Sequence, residues 1–351
     1  MTELAFRSRS ILFAAITEYI SSGEPVGSRT LEKRYSLNLS AATIRNVLSD
    51  LEDGGYLAQP HTSAGRIPTD KGFRAFVDAL VQMRDVAVED QAAIMARMQI
   101  LRPGVDDVMR ETGRILSSLT GAAAVVMPPR PEDERLMQMR FMPLRAGELL
   151  AVLVTRSGNV QNRVVRVSKE IDTHALERVH NYLDELVREG RTLTEARDTL
   201  AADMQRERDH YDALRKAVKQ ILDATIDAAE GRSEMLIEGQ GRLLDRPEFA
   251  DVDKVRALLR TFEEKEKLLE LLDRTMDSRG VQVLIGAETN LGAVQDLSVV
   301  SASYSQGGNA TGSIGVIGPT RMDYGKVVPL VGFAAEKMGE LLDKNRKDRE
   351  D

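Results

Sequence analysis

Ser40 and the pair Gly54-Gly55 bracket the segment AATIRNVLSDLED, whose apolar residues recur at helical spacing. Ile44, Val47, Leu48 and Leu51 follow the i, i+3, i+4, i+7 pattern, so one stripe of the helix must be covered by other parts of the chain. Ser40 stands where a side-chain oxygen caps the first-turn amides, and the glycines end the helix because they tolerate the backbone conformation required there. No spacer follows. The next residues are YLAQPHTSAGRIPT, two short runs (56–59 and 66–69) around a tip of small polar residues. Pro60 and Pro68 each remove a backbone donor, which confines these runs to short edge strands. The chain must therefore turn straight from a helix into a hairpin.

The flanking segments complete a small core. Ile11, Leu12, Ala15, Ile16, Tyr19 and Ile20 share one face of a first helix that stops near Gly23. PVGSRTLEKRYSLNLS predicts a short helix over roughly 28–35 and then a tight polar turn. After the hairpin, TDKGFRAFVDALVQMR opens a helix at Thr69 or Asp70, with Phe73, Phe76, Val77 and Leu80 directed at the same core. Helix, helix, tight turn, helix, hairpin is the order of a winged helix-turn-helix.

The face of 41–53 left outside carries Ala42, Asn46 and Ser49, flanked by Thr43 and Arg45, with no acid before Asp50. On one helix alone this is also what a solvated face looks like. Followed by a hairpin it fits a groove-reading helix: small residues permit close approach, an amide pairs a base edge, and a guanidinium reaches guanine or phosphate. Thr43, Arg45 and Asn46 are the candidate base contacts. Ser28, Arg29, His61, Thr62, Ser63 and Arg66 are the candidate backbone and wing contacts, with Arg66 directed either to phosphate or into the minor groove. Lys71 and Arg74 add positive charge beside the hairpin.

A net charge of −7 argues against DNA only if it is spread evenly. Residues 1–84 hold ten Lys/Arg against nine Asp/Glu, a balance of +1 that leaves −8 for the remainder. The acidic excess lies elsewhere. The chain has no cysteine, which excludes disulfides and thiolate chemistry and fits a reducing compartment. Glu3 and Glu18 bracket the apolar part of the N-terminal segment, which lacks the apolar length of a membrane span. A cytoplasmic location is expected.

Beyond residue 84, the segment 88–118 reads as a linker helix bent or broken at Pro103-Gly104, and GAAAVVMPP as a buried strand. RLMQMRFMP, ELLAVLVTR and VQNRVVRVS, separated by LRAG and SGN, predict an antiparallel meander. Helical residues follow from about 172 to 230. A long helix over 252–278 carries an apolar series broken at Lys265, and it serves as a core helix or a coiled coil. VQVLIG, LSVVSASYS and GSIGVIGP are further strands, and a last helix starts near Tyr324.

No catalytic constellation emerges, and neither metal nor cofactor is expected. His174 and His180 stand six apart, which splits them across a helix. Gly312, Gly315 and Gly318 lack the Lys-Ser/Thr of a phosphate loop, and the string reads as a closely packed strand.

GEPVGSRTL (23–31), SAATIRNVLSDLEDGGYLAQPHTSAGRIPT (40–69) and GSIGVIGPTRMDYGKVVPL (312–330) resemble the HrcA family of heat-inducible transcription repressors. QPHTSAGRIPT and IGPTRMDY are the specific parts, and weaker similarity runs through RLLDRPEFADVDKVRALL (242–259). Phe73 stands where the family more often has Tyr, and Val47-Leu48 replace a more usual acidic or Met pair. The resemblance implies an α+β chain of three parts. They are a winged helix-turn-helix over 1–84, a GAF-like domain over 85–132 and 232–351, and an inserted dimerizing domain over 133–231. The insert starts at 133, or at about 190 if the meander belongs to the GAF-like sheet. It further implies a homodimeric repressor of chaperone operons on an inverted-repeat operator, supported by the GroE chaperonin. A metabolite-sensing regulator with a ligand in the GAF-like domain is the alternative.

Overall fold

The computed structural model describes residues 6–61, 64–80, 86–98, 105–128, 135–155, 160–167, 173–206, 218–225, 235–276, 280–291, 296–306 and 310–350. The chain is α+β. Helices α1 (Phe6–Ser22), α2 (Ser28–Arg34) and α3 (Ala41–Asp53) precede a ribbon of β1 (Leu57–Ala58) and β2 (Ile67–Pro68), then α4 (Asp70–Leu80). Ser40 Oγ accepts the Thr43 amide at 3.3 Å, and Gly54 and Gly55 end α3. Gly55 lies at φ +73°, where only glycine is free of strain. Ile44, Leu48 and Leu51 are buried against Ile11, Leu12, Ile16 and Leu31.

Two helices, α5 (Val88–Met98) and α6 (Val105–Thr120), lead into a five-stranded sheet. Pro103-Gly104, where a bend is expected, lies outside the described residues. The sheet takes strand β3 (Ala123–Met127), then, across a long insertion, β7 (Leu236–Glu238), β8 (Val281–Ile285), β9 (Leu297–Gln306) and β10 (Ala310–Pro319). Its order is β7-β3-β10-β9-β8 with every pair antiparallel. One face packs against α6 and the long final helix α13 (Tyr324–Glu350). This face shares a single apolar core with α1 to α4. The other face meets α10 (Gln240–Leu244), α11 (Val252–Glu263) and α12 (Lys265–Met276).

The glycine string of β10 is a packing device. A Cβ at Gly312 would lie 2.4 Å from the Tyr304 ring, and one at Gly315 would lie 2.6 Å from the Val300 carbonyl. The expected single helix over 252–278 is two helices, broken at Glu264, whose ψ of 61° leaves helical geometry. The break turns Leu268, Leu271 and Leu272 onto the same core as Leu258 and Phe262. These residues are interior ones and form no seam between chains.

The insertion has its own core. Strands β4 (Leu136–Arg145), β5 (Glu148–Thr155) and β6 (Val160–Arg166) form a separate sheet, so the meander does not extend the larger one. Met139, Phe141, Ala151, Leu153 and Val165 face α7 (Thr173–Arg188), α8 (Leu193–Arg206) and the helical stretch α9 (218–225). His180 of α7 accepts the Phe141 amide at its Nε2 (3.0 Å) and stacks on that ring. Burial first, and then Arg140, hold its pKa below the usual histidine range. A histidine depressed in the fold contributes stability above its unfolded pKa near 6.5, and that contribution fades as pH falls below it. Melting temperature should therefore drop between pH 7.5 and 5.5, and His180→Gln should flatten that drop. An equal slope in both proteins would refute it.

Candidate nucleic-acid interface

Helix α3 sorts its residues by chemistry. Ala42, Arg45, Asn46 and Ser49 are exposed together on the side opposite Ile44, Leu48 and Leu51. Thr43 is half-buried, and its Oγ1 lies 3.0 Å from Ser40 Oγ, so this hydroxyl is engaged in the cap. Glu32 of α2 accepts the Ala41 amide at 2.8 Å and locks the turn between α2 and α3. No periodicity marks Glu32, and sequence reasoning passed over it.

Ser28 is buried at the start of α2, whereas Arg29 beside it is exposed. Arg34 pairs with Glu18 of α1 at 2.5 Å, and Glu18 is 5% exposed, so a carboxylate inside the bundle holds α2 in place. Burial, and then Glu18, push the Tyr35 hydroxyl above its ordinary pKa. Among the described residues, Arg29 and Arg45 make no ion pair and remain open to a ligand.

The ribbon stands beside α3 and is bolted down at its base. Arg66 exchanges backbone hydrogen bonds with Val26 (2.8 and 2.9 Å), in the link between α1 and α2. A Cβ at Gly65 would fall 2.6 Å from backbone atoms of Pro25 and Val26, so only glycine permits this approach. The Arg66 guanidinium donates to Glu52 of α3 at 2.8 and 3.1 Å. Arg66 thus braces the ribbon against the end of α3, and its charge is matched inside the protein. At the tip His61 is exposed, and its carbonyl accepts the Ala64 amide at 2.8 Å. Thr62 and Ser63 lie outside the described residues.

The two cations read from α4 also face the protein. Lys71 lies over the Tyr56 ring at 4.3 Å and donates to the Gly54 carbonyl at 2.7 Å. Arg74 donates to the Val283 carbonyl of the five-stranded sheet at 2.6 Å. Of the candidate contacts, Arg29, Arg45, Asn46 and His61 remain exposed, an array of polar and cationic groups that suits a groove and its phosphates.

A cleft of about 230 Å³ between α5 and α13 is lined by Val86, Ala87, Asp90, Gly325, Lys326, Pro329 and Leu330. Its volume falls below the roughly 300–1,000 Å³ of ordinary small-molecule sites. Among the described residues, no group of three or more His, Asp or Glu is placed to hold a metal ion. No helix there is long and apolar enough to cross a membrane.

Residues 106–328 match the family described as HrcA protein C terminal domain. The chain is 51% identical over 347 residues to the heat-inducible transcription repressor HrcA of Sorangium cellulosum, covering 98% of this chain and 99% of the relative. It is 40% identical over 343 residues to the protein of the same name from Geobacter sulfurreducens, covering 98% and 99%. Among solved structures, a crystal structure of a hypothetical protein superimposes with a TM-score of 0.64 at 22% identity, covering 98% of this chain and 100% of that one. At that identity the likeness concerns the fold alone.

Proposed function

The chain belongs to the HrcA family, and from that premise we propose that it represses chaperone operons by binding an inverted-repeat operator in double-stranded DNA as a cytoplasmic homodimer. The observation that carries this reading is the exposed face of α3, with Arg45 and Asn46 and no acid before Asp50, beside an anchored ribbon. Residues 1–84 are then a winged helix-turn-helix. Arg45 and Asn46 read bases, and Thr43 stands near them at the helix start. Ser28, Arg29, His61, Thr62 and Ser63 approach the DNA backbone. Arg66 joins these wing contacts while its Nε and Nη2 hold Glu52 and aim the wing.

Residues 85–132 and 232–351 make up the GAF-like domain, and 133–231 the inserted dimerizing domain. Dimerization is supported by the outer face of the three-stranded sheet. Met142, Leu150 and Val164 form one cross-strand row, and Val154 and Val160 another. Met142, Leu144, Val160 and Val164 are exposed, an apolar grouping of the kind that association covers. Val164→Asp, a change on a surface position, should give a monomer in sedimentation and weaken operator binding. A dimer of unchanged affinity would remove this face from the interface.

Activity supported by the GroE chaperonin completes the reading. When heat-damaged proteins occupy the chaperonin, the repressor loses that support and the operon opens. Footprinting on DNA upstream of a chaperone operon, with and without chaperonin, tests it. A two-fold symmetric footprint strengthened by chaperonin is expected, with half-site centres about 34–36 Å apart or a multiple of that. Protein that protects no such site would refute operator binding.

A further inference from the structure

IGPTRMDY is the most specific motif in the C-terminal half. Its side chains reach α1 and α4 of the DNA-reading module. Arg321 donates to the Ile20 carbonyl, at the C-terminal end of α1, at 2.8 Å, and pairs with Glu248 at 2.7 Å. Tyr324 is fully buried, with its ring 6.0 Å from Phe73 of α4 and its hydroxyl on Ser298 and the Thr320 carbonyl. Gly23, at φ +73°, lets the α1 end pass close over the Arg321 guanidinium.

A second attachment lies at the end of β8, where one 3-10 turn (Gly286–Thr289) meets α4. Arg74 pairs with both oxygens of Glu288 and donates to the Val283 carbonyl at 2.6 Å. Asp70 accepts the Ala287 amide at 3.0 Å, and Gly286 leaves room for its carboxylate. These contacts join residues more than 200 positions apart, and they hold α1 and α4, the two helices that carry α2, α3 and the ribbon.

Between these attachments the contact is apolar and continuous with the sheet core. Apolar packing is non-directional and permits small rotations, whereas hydrogen bonds to fixed carbonyls and amides set an angle. In a dimer that binds two half-sites, the second contact gains from the effective concentration that a fixed orientation provides. We infer that the 318–324 segment and the β8 corner form a seat that fixes the orientation of the DNA-reading module, with Arg321 and Arg74 as its positioning residues. This rests on the operator-binding reading above.

The test uses the full-length chain, whose lack of cysteine allows labels at Lys33→Cys and Glu336→Cys alone. Spin-label distances between module and body are measured in the parent, Arg321→Gln and Arg74→Gln. Glu288→Gln, which keeps an oxygen for the Ile285 amide, serves if Arg74→Gln does not fold. The distance distribution should widen without DNA in each variant. Affinity for the full operator should fall about tenfold or more, with single half-site affinity unchanged and reduced discrimination against operators lengthened by one or two base pairs. An unchanged distance distribution would overturn the inference, and so would equal losses on half-site and full operator. If the parent itself ignores operator DNA, the operator reading fails; the DNA-free distances still report on the seat.

Discussion

Gly65→Ala is expected to cost about 2–3 kcal/mol of stability in the N-terminal module, the upper range for overpacking, and to abolish operator binding at working concentrations. The added methyl would meet the carbonyl carbon and oxygen of Pro25 and the carbonyl carbon of Val26, all at 2.6 Å. These are backbone atoms with no rotamer to give way, so the ribbon must lift. Lifting it breaks the Val26–Arg66 hydrogen-bond pair and draws Arg66 away from Glu52. Thermal unfolding and operator titration of the same preparation check the result. Retention of parental affinity would show that the ribbon is free to move at its base.

Asn46→Ala carries the second large effect. If its amide pairs bidentately with an adenine edge, each half-site should lose about 1–3 kcal/mol, roughly 5- to 140-fold, with specificity relaxed at that base pair. Arg29→Ala should instead weaken all sequences alike and reduce the salt dependence, as loss of a phosphate contact does. Both residues are exposed, so neither change disturbs the core. Titrations against matched and scrambled operators at two salt concentrations separate them. Equal losses on both DNAs for Asn46→Ala would remove its specificity role.

Local signals made much of the N-terminal module legible before its structure was described. Ser40 and Gly54-Gly55 bound α3 through capping and backbone freedom, chemistry that depends only on near neighbours. Ile44, Leu48 and Leu51 marked the covered side, and the other side followed. The glycines of β10 were readable for the same reason. Pairings between distant surface charges left no such trace. The Arg66–Glu52 pair leaves no mark in the sequence because its spacing belongs to no period. Arg74 and Glu288 are farther apart still, and Glu32 looked like any helix-surface acid. The apolar series breaks at Lys265, yet glutamate and lysine are good helix formers, so the helix break at Glu264 carries no local breaker signal. The meander's strands were plain from alternation, yet alternation carries no record of which sheet a strand joins.

The unbroken interior running from α1 through α4 to the β-sheet and α13 bears on how this protein can be divided. A fragment ending near residue 84 would present to water the faces of Phe73, Phe76 and Val77 that the rest of the chain now helps to cover. Such a fragment should be less stable than the same residues in the whole chain. The insertion has a core of its own, so removing it should leave this interior covered. On the proposed reading, in which the insertion pairs two chains, loss of that separate core would break pairing and leave the interior beneath α3 intact.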